Sequence, residues 1–336
     1  MVHHPPFGEV QASRPDYERD LEVITTKTAD TSFAAGDGLN DLPSAKEFRE
    51  GKFKSIVPED KTPAEIYKML ISGVVRRLQV LPRRANRLTA YTDPKTDRVR
   101  VVYRTQWESE RGWLSLIRRC VHTEARGGSQ LAPFSWFNTV SQDPPTIMIS
   151  VSSAARQDGG SMKDTSANIK ATNEFSVSII SEPFVEASNF TSIDAPPDID
   201  EWKLAGLTPR ASETIKAPHV AESAFSMECT LAHWHEIKND AGKVTSTVIL
   251  GRIRRIQVVG LYEPISRQGT VWLNAARQKE FVLDPEDPMK VLLEKLRPVS
   301  RLGGIAYGRT TQMLEIPRPV WDKVKDTPEV KKALEK

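Results

Sequence analysis

Apolar and polar residues alternate with period two at several places along the chain. Phe175, Val177 and Ile179 are interleaved with Ser176 and Ser178, and Phe225, Met227, Cys229 and Leu231 with Ser226, Glu228 and Thr230. Each run predicts a strand with one buried face, and the β-rich run Thr146 to Val151 predicts a strand buried in a core. Val244 to Val259 is long enough for one bent strand or two, with Gly251 as a candidate bulge. Arg98 to Val102 alternates as well, and Arg301 to Tyr307 reads as a turn into a final short strand. Helical period is rarer. Thr62-Pro63-Ala64-Glu65 combines a capping hydroxyl, a proline suited to the first helical position and a glutamate placed to reach back. Ile66, Met69 and Leu70 then share a face, which predicts a helix to about Ile71. Pro183 opens a short helix holding Phe184, Val185 and Ala187, and Asp287-Pro288 opens another holding Val291, Leu292 and Leu296. Short antiparallel-looking strands with few long helices predict a mainly β, α+β architecture: a β-barrel with helical excursions. Regular βα alternation is missing, which counts against a doubly wound sheet.

The same pattern divides the chain. Residues 1–60 lack long apolar runs and are rich in Pro, Gly, Asp, Thr and Ser, so an irregular N-terminal arm is expected. Residues 61–320 carry the strands and form the domain, and 321–336 form a charged helical tail. Inside the domain, 76–128 holds 12 Arg, 1 Lys and 5 acids, net +8, against +3 for the whole chain of 336 residues. Three readings of this segment stand side by side: a shifted reading frame or retained intron, which is preferred, a genuine surface insertion, and a nucleic-acid arm. A nucleic-acid partner is not expected, because net charge gives no support beyond this one segment. Two cysteines far apart, Cys120 and Cys229, fit a reducing compartment. No apolar leader follows Met1 and no run is long enough to span a bilayer, so a cytoplasmic protein without membrane partners is expected.

Several chemistries find no motif. There is no GxGxxG after a strand, no Walker lysine, no HExxH and no GxSxG. His233 and His235 share one strand face, but two imidazoles do not make a metal site, and no metal is expected. Two stretches hold more. Ala132-Pro133-Phe134-Ser135-Trp136-Phe137-Asn138 interleaves flat apolar side chains with donors and acceptors, which suits a planar heterocycle or, equally, a β-edge turn with core aromatics. Lys163-Asp164-Thr165 opens a helical turn, where free N–H groups and the helix dipole favour an anion; an ordinary N-cap beside an exposed lysine explains it too.

Taken together, LAPFSWFNTVSQDPP (131–145), KDTSANI (163–169), NEFSVSIISEP (173–183), AESAFSMECTL (221–231), VILG (248–251) and RPVSRLGGIAY (297–307) resemble the flavin reductase-like family. The resemblance covers about 129–310 and the helix ending LISG (70–73), and the preamble DGLNDLPSAKEF (37–48) is similar to the family's fungal branch. It implies an FMN-binding split barrel, with FMN held non-covalently at a homodimer interface. Carried over by motif, Phe134, Ser135, Trp136 and Asn138 would lie along the ring. Lys163, Thr165 and Asn168 would lie at the phosphate, with Asp164 as a capping or orienting group. Ser150 and Ser152 would bond the ribityl chain or ring edge. The implied activity is oxidoreduction, with NAD(P)H as transient hydride donor and a small-molecule electron acceptor. The alternatives are a flavin-binding electron carrier without NAD(P)H activity, or a pseudoenzyme without flavin. In one place the chain departs from the family: the strand expected after the helix, rich in hydroxyls that help hold the phosphate, is not recognisable in 76–128.

Overall fold

The longest strand, β12 (Val244–Val259), is the spine of the fold. It pairs along its whole length with β11 (Phe225–Lys238), through its first half with β7 (Pro145–Ser152), and through its last four residues with β1 (Phe53–Ile56), all antiparallel. The computed structural model describes residues 12, 14–15, 26–51, 53–73, 90–92, 99–101, 119–125, 128–153, 163–193, 199–259, 282–303, 305–313 and 318–335. Within them the main sheet has the order β5-β4-β8-β11-β12-β7-β6, with β1 added beside β12. Here β4 is Arg119–Ala125, β5 is Gly128–Phe134, β6 is Phe137–Gln142 and β8 is Glu174–Ile179. The two ends of this path, β5 and β6, are consecutive in sequence. Only Ser135 and Trp136 separate them, so the sheet curls back on itself at this corner. The Ser150 N–H donates to the Trp136 carbonyl at 2.9 Å and ties the corner to β7. This is the mainly antiparallel β architecture with helical excursions that the alternation predicts.

Strand parity decides what is inside. Ile147, Ile149 and Val151 of β7, Phe175, Val177 and Ile179 of β8, Phe225, Met227 and Cys229 of β11 and Ile249, Ile253 and Ile256 of β12 form one buried cluster. A fully buried side chain of this size contributes about 1.5–3 kcal/mol by removal from water. Helix α2 (Pro63–Gly73) closes one end with Ile66, Met69 and Leu70. Its predicted capping box is present: the Thr62 N–H donates to Glu65 Oε2 at 2.9 Å and the Glu65 N–H to Thr62 Oγ1 at 3.3 Å. Helix α3 (Asp164–Thr172) contributes Ile169. The opposite face of β5 and the β8 end carry a second buried cluster, in which Leu131, Ile180 and Phe184 meet Trp202, Leu207 and Val220.

Four expectations need correction. Gly251 is not a bulge. It pairs in register with Leu231 and Ile147, while the ladder skips at Ala232 on β11 and at Arg254 on β12. The helix expected from Asp287 forms only at Leu293–Leu296, because the Val291 N–H is taken by Ser72 Oγ at 2.9 Å and Asp287 closes a turn with Asp284. The arm expected over 1–60 contains helix α1 (Ala45–Glu50) and β1 in its described part. Phe48 and Ile56 join the core, and buried Asn40 donates to Glu182 O and Glu186 Oε2, each at 2.8 Å. Its anchoring partners lie far along the chain, so its composition gives no hint of them.

The fourth correction concerns 76–128. Strand β4 lies inside that segment and pairs with both β8 and β5, so it occupies the place of the strand that the resemblance leaves missing. Residues 119–125 are therefore part of the main sheet. The expected strand at Arg98–Val102 is present as Val99–Val101, paired with Ala90–Thr92. The rest of the segment lies outside the described residues. The tail beyond Trp321 is helical at Trp321–Val324 and Pro328–Leu334, as expected.

Candidate functional site

The residues expected along a planar ring come together through strand register. On β7, Ile147, Ile149 and Val151 face the core, so Met148, Ser150 and Ser152 face outward. Asn138 of β6 pairs with Met148, and on the other side Leu250, Val248 and Ser246 of β12 pair with Met148, Ser150 and Ser152. Next come His233, His235 and Ile237 of β11. Adjacent strands lie about 4.8 Å apart, so this outer face is a row of short polar groups, Asn138, Ser150 and Ser152, bordering an apolar strip of Met148, Val248 and Leu250. Trp136 stands in the corner turn beside Ser150 and is 51% exposed, a large flat surface open to a ligand. Ser135 is half-buried in the same turn. Phe134 is different. It packs against the core cluster, on the inner side of β5, and does not share the outer face.

The residues expected at an anion form a second group. Lys163 is the exposed N-cap of α3, in an extended conformation, and its side chain makes no capping hydrogen bond. Within the first turn Thr165 is buried, and the Ser166 hydroxyl is buried with no hydrogen-bond partner among the described residues. An uncapped helix start with a buried, unsatisfied hydroxyl in its first turn suits an anion, because the N–H groups and the dipole there favour negative charge. The residues present therefore fit the phosphate of a flavin nucleotide. Thr165 Oγ1 and Asn168 Nδ2 both donate to Gln130 Oε1 of β5, at 3.3 Å and 3.2 Å. Asp164 is half-buried, and its charge adds to that of Asp200 on Glu201, whose carboxyl is pushed up first by burial. Farther along, Lys170 bonds Glu236 at 2.9 Å and lies 3.8 Å over the Trp234 ring, pinning α3 to β11.

Sequence reasoning missed Gln130, β4 and Glu201. Gln130 stands directly opposite Thr123 in the β4–β5 ladder. The available signal was the Val121-His122-Thr123 run, ahead of the LAPF motif at 131–134 and masked by the arginines in front of it. His233 and His235 are exposed, and no group of three metal-ligating side chains occurs among the described residues.

Residues 120–268 match the flavin reductase like domain. An uncharacterised protein of Aquifex aeolicus is 34% identical over 196 residues, covering 58% of this chain and 81% of that protein. The chain belongs to the flavin reductase-like family. A second uncharacterised protein, from Halalkalibacterium halodurans, is 32% identical over 200 residues, covering 59% of this chain and 83% of that one. The crystal structure of nitrilotriacetate monooxygenase component B from Bacillus cereus superposes with a TM-score of 0.50 at 28% identity, covering 68% of this chain and all of that one. The matched region begins at Cys120, inside β4, so this strand belongs with the flavin reductase-like domain. Flavin-related oxidoreductase chemistry goes with membership. No helix among the described residues is long and apolar enough to cross a membrane.

Proposed function

We propose that this flavin reductase-like protein binds FMN and passes electrons from NAD(P)H through it to a small-molecule acceptor. The observation that carries the reading is the pairing of the two residue groups: a flat, exposed aromatic beside a polar row, and an uncapped helix start with a buried, unsatisfied hydroxyl. Bound FMN would supply the redox chemistry, accepting hydride and releasing electrons. Trp136 offers stacking surface, and Asn138 and Ser150 offer hydrogen bonds along a ring edge. Ser152 lies one residue pair beyond Ser150 on the same face, toward the ribityl side. Lys163, the Thr165 backbone N–H in the first helical turn and the remaining Asn168 Nδ2 hydrogen hold the phosphate, with Asp164 orienting the turn. The outer face extends to exposed Val140 and Ile237 and the half-buried Met148, Val248 and Leu250, which supports a homodimer that buries this face and encloses the ring.

The test is direct. Purified full-length protein should be yellow, or should turn yellow when FMN is added and the excess removed, and should bleach with NADH or NADPH under anaerobic conditions. Protein that neither carries nor takes up FMN overturns the reading. Bound FMN that both nicotinamides leave oxidised selects an electron carrier instead.

A further inference from the structure

We propose that Gln130 selects phosphorylated flavin over riboflavin. The inference rests on the flavin reading above and adds to it a residue which the sequence motifs do not point to. Gln130 lies on β5, half-buried, and its Oε1 accepts from both Thr165 and Asn168. One amide oxygen thus orders the two side chains expected at the phosphate, which lie 35 and 38 residues farther along the chain. Both belong to α3, one near its uncapped start and one a turn later. With the oxygen engaged, the Nε2 donors of Gln130 meet no acceptor among the described residues. A neutral amide suits this position for an electrostatic reason. It satisfies two donors without adding negative charge, and it retains two N–H groups for an anion carrying about −1.5 to −2 charges at neutral pH.

Replacing the amide with a carboxylate separates structure from selection. Gln130→Glu has nearly the same shape and still accepts from Thr165 and Asn168, so the bridge between β5 and α3 is kept or strengthened. It removes the free donors and places a negative charge beside the phosphate. A residue with a purely structural role would leave FMN and riboflavin equally affected.

The experiment titrates the full chain, stripped of flavin, with FMN and separately with riboflavin, following flavin fluorescence. The wild type should bind FMN more tightly than riboflavin. Gln130→Glu should weaken FMN about tenfold or more while riboflavin stays within about twofold, and the loss should shrink with added salt. Gln130→Ala, which loses the donors without adding repulsion, should lose part of the FMN margin and carries the test if the glutamate variant does not fold. An unchanged margin in a folded variant overturns the role of Gln130 and leaves the flavin reading intact. Wild-type protein that binds neither flavin overturns the flavin reading, and this inference with it.

Discussion

Gly251 lies directly against Phe175. A Cβ at position 251 would overlap Cζ of the Phe175 ring and stand 3.0 Å from its Cε1 and 3.3 Å from the Cβ of Cys229. Phe175 and Cys229 are both fully buried, so neither has solvent to retreat into. The glycine in VILG is therefore required by packing across the sheet, where β12 crosses the ring of β8.

Gly251→Ala should accordingly lower stability by about 1–3 kcal/mol, the usual range for adding a methyl to a packed core. A strand-interior alanine would otherwise be neutral or favourable, so the sign is diagnostic. Urea denaturation of the two proteins measures it, and an alanine variant as stable as wild type would show that the ring can move aside. The double variant Gly251→Ala with Phe175→Leu should recover part of the loss.

This contact also shows how far the sequence reaches. The alternation in β7, β8 and β11, the capping box at Thr62 and the aromatic corner were readable because each is a local pattern tied to a backbone period. The reason for Gly251 was not, since its partner Phe175 lies in another strand. Gln130 was hidden in the same way, because its hydrogen bonds go to α3. Strand β4 was obscured by the arginine-rich run in front of it, and only its pairing with β8 and β5 establishes it. Of the candidate site, the residue types were legible; the face each one occupies was not, and Phe134 falls inside for that reason.

Buried His219 should make the fold acid-sensitive. Both its ring nitrogens lack partners among the described residues, and Phe53 meets its ring edge-on at 5.7 Å. Burial first, with the positive charge of Arg210, outweighs Glu228 and Glu213 and lowers its pKa from 6.5 to about 4. The unfolded chain takes up this proton below pH 6.5 and the folded chain does not until about pH 4. Stability should therefore fall as pH drops through that window, by up to about 3 kcal/mol, and then level off. His219→Phe should flatten the pH dependence between 4.5 and 7 in denaturant titrations. A variant with the wild-type slope would assign the effect elsewhere.

Glu228 holds the 209–222 excursion onto the sheet. Its fully buried carboxylate accepts from the N–H of Glu213 and Thr214, from Thr214 Oγ1 at 2.6 Å and from Gln257 Nε2 at 2.9 Å. Burial alone would raise its pKa, but the hydrogen bonds from Thr214, Gln257 and Glu213 outweigh it and hold the group below the usual glutamate value. Its contribution is present above pH 4.5 and is lost as pH falls through the folded value. Glu228→Ala leaves these donors without an acceptor and should cost about 2–4 kcal/mol. Hydrogen exchange should report early opening of 209–222. An unaltered exchange pattern there would show that the excursion is held by its apolar contacts instead.

The two halves of the proposed cofactor site should respond differently to substitution. Trp136→Ala removes ring-stacking surface common to FMN and riboflavin, so both should weaken alike, by about 3–10-fold if stacking contributes about 0.5–1.5 kcal/mol. Lys163→Ala removes one exposed positive charge at the start of α3. It should weaken only FMN, by about 2–5-fold, since exposed charge interactions are worth less than about 1 kcal/mol. That smaller effect should vanish near 1 M salt, where the Debye length falls to about 3 Å, whereas the tryptophan effect should persist. Fluorescence titrations of the two variants at low and high salt distinguish these outcomes. If Lys163→Ala weakened riboflavin as much as FMN, the phosphate would lie away from the helix start, and the assignment of the two ends would have to be reversed.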